Sequence, residues 1–133
     1  MVHKYVLRVR YSDTDQMQRL HHAAYVEYLE VVRIECLRSM GFSYDALEKS
    51  GHLLPVSKLQ IKYRQGARYD ELLSFETRVQ MLSEIRLVFH SKVHVSDRLI
   101  ATAEVELACI DANGHRPRKM PERLLRALEE ASV

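Results

Sequence analysis

Apolar and polar residues alternate with a period of two in five stretches of the chain, which is typical of β-strands with one buried face. We predict strands at residues 5–12, 58–64, 73–81, 85–95 and 99–109. Short polar breaks at 83–84 and 96–98 separate the last three stretches. Breaks of this length join antiparallel neighbours, because parallel strands need a crossover of about a dozen residues or more. The last three strands are therefore predicted to form a meander.

Between the first two strands the period changes to that of a helix. Over residues 22–40, apolar side chains recur three or four positions apart, at Tyr25, Leu29, Val32, Cys36 and Met40. Glycine follows this stripe at position 41, where a helix can end. Shorter helices are predicted at 44–49 and 121–130, the second with proline in its first turn.

These elements predict the architecture of the whole chain. A five-stranded sheet with one apolar face needs a covering layer, and the helix at 22–40 is the longest element able to supply it. The length of 133 residues suits one domain that buries roughly two-thirds of the surface of its unfolded chain. We predict a single α+β domain over residues 1–133, in which a curved antiparallel five-stranded sheet wraps around a long central helix.

Charge and composition limit which partners and which cellular location we expect for the protein. Lysine and arginine number 20, aspartate and glutamate 18, and the two signs are interspersed, so no nucleic-acid partner is predicted. No apolar stretch approaches the ~18 residues of a membrane span, and the first residues lack the apolar core of a signal peptide. Cys36 and Cys109 lie within apolar patterns and are expected to be reduced and buried. We therefore expect a cytoplasmic protein.

The densest polar cluster lies at residues 11–22, before the long helix, and contains Asp13, Asp15, His21 and His22. Neighbouring carboxylates can raise one another's pKa, and amide N–H groups at a helix start can polarise a carbonyl. The same residue types are common as helix caps and in turns, so spacing alone leaves both interpretations open. The four glycines are scattered and no G-x-S-x-G motif occurs, so neither a phosphate-binding loop nor a serine nucleophile elbow is predicted. We predict no metal site and no cofactor.

A family resemblance begins in the same cluster. The matching stretches are Tyr11-Ser12-Asp13-Thr14-Asp15, His22-Ala23-Ala24-Tyr25, Tyr28-Leu29-Glu30 with Arg33, and Ala67-Arg68-Tyr69-Asp70-Glu71. They resemble the 4-hydroxybenzoyl-CoA thioesterase family, nearest the short bacterial acyl-CoA thioesterases encoded beside the Tol-Pal genes. The resemblance covers nearly the whole chain. It implies a hot-dog fold and hydrolysis of an acyl-CoA thioester to free acid and coenzyme A.

The resemblance also implies roles for individual residues. Asp15 falls on the catalytic carboxylate, and His22 falls on a histidine that supports activity, with its backbone N–H facing the thioester oxygen. Asp13 and Tyr25 are expected to shape the loop and the head of the helix. The carboxylate can attack the carbonyl directly or act as a general base on water, and the sequence leaves both routes open.

Two further features bear on substrate binding. The family usually has glycine where this chain has Gln18, so we expect Gln18 to reshape the loop and alter substrate preference. Arg64 and Arg68 lie near the loop that follows the second strand and are candidate contacts for the phosphates of coenzyme A.

The resemblance also implies an oligomer, and it leaves alternative functions open. Family members pair their sheets edge to edge, so a homodimer or homotetramer is expected. An acyl carrier protein is an alternative carrier of the acyl group. From a different class, the rival function is a non-catalytic hot-dog protein that binds acyl-CoA or an acyl carrier, or docks a partner.

Overall fold

The computed structural model describes residues 1–132 and contains two sheets and three α-helices within those residues. In chain order the elements are β1 (His3–Arg8), α1 (Ala24–Ser39), α2 (Tyr44–Lys49), β2 (His52–Leu53), β3 (Val56–Tyr63), β4 (Leu72–Met81), β5 (Arg86–Val95), β6 (Arg98–Ala108), β7 (Ile110–Asp111) and α3 (Glu122–Ala131). A single 3-10 turn at Tyr11–Asp13 follows β1. Within the described residues no helix is long and apolar enough to cross a membrane.

The main sheet is antiparallel throughout and has the strand order β1-β4-β5-β6-β3. Strands β4, β5 and β6 form the predicted meander, and β1 and β3 are the two edges. The short strands β2 and β7 pair separately. The α+β fold class is therefore confirmed, with the five predicted strands in one sheet.

One face of this sheet and the apolar stripe of α1 form the core. The alternation in β4, β5 and β6 places every second side chain inward, as the period of two predicted; the buried set includes Leu73, Phe75, Val79, Leu87, Phe89, Val93, Ala101, Val105 and Leu107. From α1, Tyr25, Leu29, Val32 and Cys36 are buried against it, again as predicted. Cys36 and Cys109 are both buried and free.

A second helix shares the covering role that the sequence assigned to α1 alone. The terminal helix α3 lies against β4 and buries Leu124, Leu125 and Leu128. Five strands about 4.8 Å apart make a sheet roughly 19 Å wide, whereas a helix with its side chains is roughly 10 Å across. One helix is therefore too narrow to cover the sheet.

The other departures from prediction lie at element ends and on the free edge. The first strand ends at Arg8, so Tyr11 lies outside it and is exposed. The helix begins at Ala24 rather than at residue 22. Leu59 and Tyr63 of β3 occupy inward register positions but are 40% and 49% exposed, because β3 has no neighbour beyond it among the described strands.

A buried hydrogen bond between Thr77 of β4 and Ser91 of β5 gives a test of the core. The two hydroxyls are 2.8 Å apart on the inner face. Thr77→Val leaves the Ser91 hydroxyl without its partner, so we expect the free energy of unfolding to fall by about 1–3 kcal/mol. The double variant Thr77→Val/Ser91→Ala removes both polar groups and should be more stable than the single one. Urea denaturation measures both, and a double variant less stable than the single one contradicts the interpretation.

Candidate active site

The loop between β1 and α1 is tied to the helix through Asp13. The Tyr28 hydroxyl of α1 donates to Asp13 Oδ2 at 2.6 Å and accepts from the Arg10 backbone N–H at 3.2 Å. Arg10 Nε also donates to Asp13 Oδ2, at 2.9 Å. The Asp13 carbonyl accepts from the His21 N–H at 2.7 Å. Asp13 therefore holds the loop by its side chain and the start of the helix by its backbone.

The electrostatics of Asp13 are opposite to the expectation from two neighbouring carboxylates. The hydrogen bonds from Arg10 and then from Tyr28 hold the pKa of the Asp13 carboxyl below its ordinary value. A cation and a hydroxyl donor thus decide its charge, and Asp13 is the ionised acceptor of the loop.

Asp15 divides its two carboxylate oxygens between structure and free space. Oδ1 accepts from the backbone N–H groups of Met17 at 2.9 Å and Arg19 at 3.2 Å. The backbone of Asp15 also pairs with the Arg19 carbonyl at 2.8 Å, which closes a tight turn. Within residues 1–132, Oδ2 makes no hydrogen bond. The turn interpretation is thus correct for one oxygen, while the other is available to a ligand.

Gln18 occupies the turn closed by Asp15 and has a positive φ of 61°. A side chain in this left-handed region meets steric strain that glycine avoids. The structure thus gives a physical reason for the glycine that the family resemblance predicts here, where this chain has Gln18. The Gln18 side chain is exposed and lines the same groove as Asp15.

The paired histidines lie in the turn immediately before α1. His21 and His22 are exposed and their rings stack with centroids 4.3 Å apart. His21 Nδ1 accepts from the Ala23 N–H at 3.1 Å, and the His21 carbonyl accepts from the Ala24 N–H at 2.9 Å. The His22 backbone N–H has no hydrogen-bond partner in the described part of the chain. Burial raises the pKa of Tyr25, one residue into the helix, to about 12, so its phenol is a neutral packing group.

An open groove collects several predicted residues around Asp15. It is lined by Tyr11, Ser12, Thr14, Asp15, Gln16, Gln18, Arg68 and Tyr69. Arg68 reaches the groove because an isolated β-bridge joins its segment to Arg19. His22 and Arg64 do not line this groove in the single chain, and their roles stay predictions. A second depression, on the opposite face of the sheet around Lys92 and Thr102, contains none of the predicted residues.

Sequence reasoning missed two kinds of residue in the site. Tyr28 was part of a quoted motif, but nothing in its spacing indicated that its hydroxyl holds Asp13. Tyr11 and Tyr69 are far apart in sequence, yet their exposed rings meet edge to face at 5.5 Å beside Asp15. Within the described residues, no group of three His, Cys, Asp or Glu side chains is placed to hold a metal ion.

Comparisons with known proteins report on the family and the fold of the chain. The family model described as the thioesterase-like superfamily matches residues 9–128. The chain is 32% identical over 123 residues to the acyl-CoA thioester hydrolase YbgC of Escherichia coli, covering 92% of each chain. A hypothetical protein from Thermus thermophilus superposes with a TM-score of 0.92 at 32% identity, over 100% of this chain and 99% of that one. The DHNA-CoA thioesterase of Staphylococcus aureus gives 0.88 at 29% identity, over 98% and 88%.

The backbone angle of Gln18 generates a stability prediction. We expect Gln18→Gly to be about 1 kcal/mol more stable than Gln18→Ala, because only alanine retains the strain of the left-handed angle. The matched pair Gln16→Gly and Gln16→Ala, in the same exposed loop but without a positive φ, should show no advantage for glycine. Thermal and urea unfolding of the four variants measure the difference. Equal preferences at both positions contradict strain at Gln18.

The lowered pKa of Asp13 generates a pH prediction. Because the folded pKa lies below the ordinary value of 3.8, the stabilising contribution of Asp13 is complete above about pH 4 and is lost as the pH falls through the folded pKa. We expect Asp13→Asn to lower the free energy of unfolding by about 1–2 kcal/mol at pH 7. The difference from the parent protein should shrink as the pH falls below about 4. A difference that does not change over this range rules out the carboxylate as its source.

Proposed function

This chain belongs to the thioesterase-like superfamily and is a thioester hydrolase, and we propose that it hydrolyses an acyl-CoA thioester with Asp15 as the catalytic carboxylate. The observation that carries the assignment is the division of roles within Asp15. Oδ1 is fixed by two backbone N–H groups, and Oδ2 is free beside a groove. A fixed carboxylate with one free oxygen has what either a nucleophile or a general base needs.

A hydrogen-bond donor near the start of α1 can stabilise the negative charge that develops on the thioester oxygen. We assign this role to the His22 backbone N–H, which has no partner within residues 1–132. It also lies at the positive end of a 16-residue helix, where an anionic oxygen is favoured. The exposed His22 imidazole is proposed to support the reaction from the same turn.

Two reaction routes are compatible with these groups. In one, Asp15 Oδ2 attacks the thioester carbonyl, the C–S bond breaks, the thiolate of coenzyme A leaves, and water hydrolyses the mixed anhydride. In the other, Asp15 takes a proton from water as the water attacks, and the same C–S bond breaks. A thiolate is a good leaving group, so neither route needs a cofactor. The products are the free acid and coenzyme A.

Arg68 is the better supported of the two proposed phosphate contacts. It lines the groove beside Asp15, and its guanidinium forms no ion pair among the described residues. Arg64 is fixed through its backbone N–H, which donates to the Ile100 carbonyl at 2.8 Å, and its side chain is exposed at the end of β3. Both residues are assigned to the phosphates of coenzyme A.

The proposed assembly is a homodimer or homotetramer formed at the free edge of β3. This strand is eight residues long and exposes Val56, Leu59 and Tyr63. A long edge strand with apolar side chains is unstable in isolation and is normally paired or covered. The cytoplasm remains the proposed location. Acyl carrier protein remains the alternative to coenzyme A as carrier of the acyl group.

The decisive variant is Asp15→Asn. Asparagine keeps an oxygen acceptor at Oδ1, so the turn and the fold should persist, but the nucleophilic or basic carboxylate is lost. We expect kcat to fall by roughly a hundredfold to a thousandfold. The measurement is release of coenzyme A thiol over a panel of aliphatic and aromatic acyl-CoA esters.

The matched control is Asp45→Asn, which makes the same change at an exposed carboxylate paired with Lys49 on α2. It should hydrolyse as fast as the parent protein. Near-normal turnover by Asp15→Asn would refute the role of Asp15. Tight binding of acyl-CoA without turnover by the parent protein would instead favour the non-catalytic function. Faster hydrolysis of a carrier-linked than of a CoA-linked acyl group would identify the acyl carrier protein as the substrate.

A further inference from the structure

Tyr63, the last residue of β3, connects the edge of the sheet to the turn immediately before α1. Its hydroxyl donates to the His22 carbonyl at 2.8 Å. Its ring packs edge to face against Tyr25, with centroids 5.2 Å apart and planes at 79°. The ring contact places the hydroxyl, and the hydroxyl holds the peptide group that follows His22.

The peptide groups on both sides of His22 are fixed by hydrogen bonds. In the group before it, the His21 carbonyl accepts from the Ala24 N–H at 2.9 Å. In the group after it, the Ala23 N–H donates to His21 Nδ1 at 3.1 Å, and the His22 carbonyl accepts from Tyr63. Each peptide group is planar, so fixing its polar atoms fixes the orientation of the whole plane.

The contact from Tyr63 differs in kind from the others. Apart from the His21 N–H, which donates to the Asp13 carbonyl at 2.7 Å, the other bonds of this turn are local, whereas Tyr63 is 41 positions away in sequence. It is the one side chain from outside the turn that binds the His22 backbone, within the part of the chain that the structure describes. Tyr63 therefore ties this turn, and with it the His22 N–H, to the edge of the sheet.

We infer that Tyr63 is a positioning residue, which orients the His22 backbone N–H toward the thioester oxygen. This inference rests on the function proposed above. A donor that is already aimed at the developing negative charge needs no reorganisation during the reaction. Loss of the anchor should weaken an interaction made in the transition state more than one made with the bound substrate.

The test variant is Tyr63→Phe, which keeps the ring against Tyr25 and removes only the hydroxyl. We expect kcat to fall about tenfold, because a misaligned His22 N–H weakens one hydrogen bond to the transition state. KM should stay within about twofold of the parent value. Amide hydrogen exchange, followed by NMR, should become faster at Ala23 and Ala24, whose N–H groups are hydrogen-bonded within the turn. The control is Tyr44→Phe on α2. The buried Tyr44 hydroxyl has no hydrogen-bond partner within residues 1–132, so its loss should change neither measurement.

The outcomes separate this inference from the proposed function. If exchange at Ala23 and Ala24 is unchanged in Tyr63→Phe, Tyr63 does not hold the turn and the inference is wrong, whatever the activity. If exchange is faster but kcat is unchanged, the orientation of His22 does not matter for turnover, and the inference is again wrong. If Asp15→Asn is inactive while Tyr63→Phe is fully active, only the inference fails. A parent protein that hydrolyses no thioester overturns both.

Discussion

The hydrogen bond from the Tyr28 hydroxyl to the Asp13 carboxylate, at 2.6 Å, is the contact on which the site depends. The chain leaves the sheet after β1 and must reach α1 without a strand ladder to satisfy its backbone groups. Asp13 holds this loop in place. Its side chain accepts from Tyr28 and Arg10, and its carbonyl accepts from the His21 N–H. The turn that carries Asp15 therefore starts from a residue already fixed to the helix.

The two aspartates of the loop are separated in role by their partners. Arg10 and Tyr28 lower the pKa of Asp13 and occupy its carboxylate, which leaves it little freedom for chemistry. Among the described residues, Asp15 meets no cation at hydrogen-bond distance and instead accepts from two backbone N–H groups with one oxygen. Like-charge repulsion between neighbours, the natural expectation from their spacing, is thus replaced by pairing of Asp13 with its own cation. The remaining oxygen of Asp15 is what the proposed reaction uses.

The sequence predicts the interior of this fold better than its edges. The period of two identified β4, β5 and β6 because each has neighbours on both sides and one fully buried face. The same pattern failed at Leu59 and Tyr63, since alternation reports which way a side chain points and not whether another layer covers it. In the site, local motifs located Asp15 and the strained Gln18. Contacts such as Tyr63 with His22 join residues 41 positions apart and leave no local pattern.

Tyr63 lies at the end of an edge strand, so the rigidity of the proposed oxyanion site is connected with the oligomeric state. An edge strand has hydrogen-bonded neighbours on one side only, so its ends open more readily than those of interior strands. Tyr63, which holds the His22 turn, therefore lies at the end of a strand with one hydrogen-bonded neighbour, β6. Pairing of β3 with a second copy of the chain would supply the missing neighbour and steady Tyr63. On this argument the proposed oligomer does more than cover apolar surface, because it also makes the start of α1 more rigid.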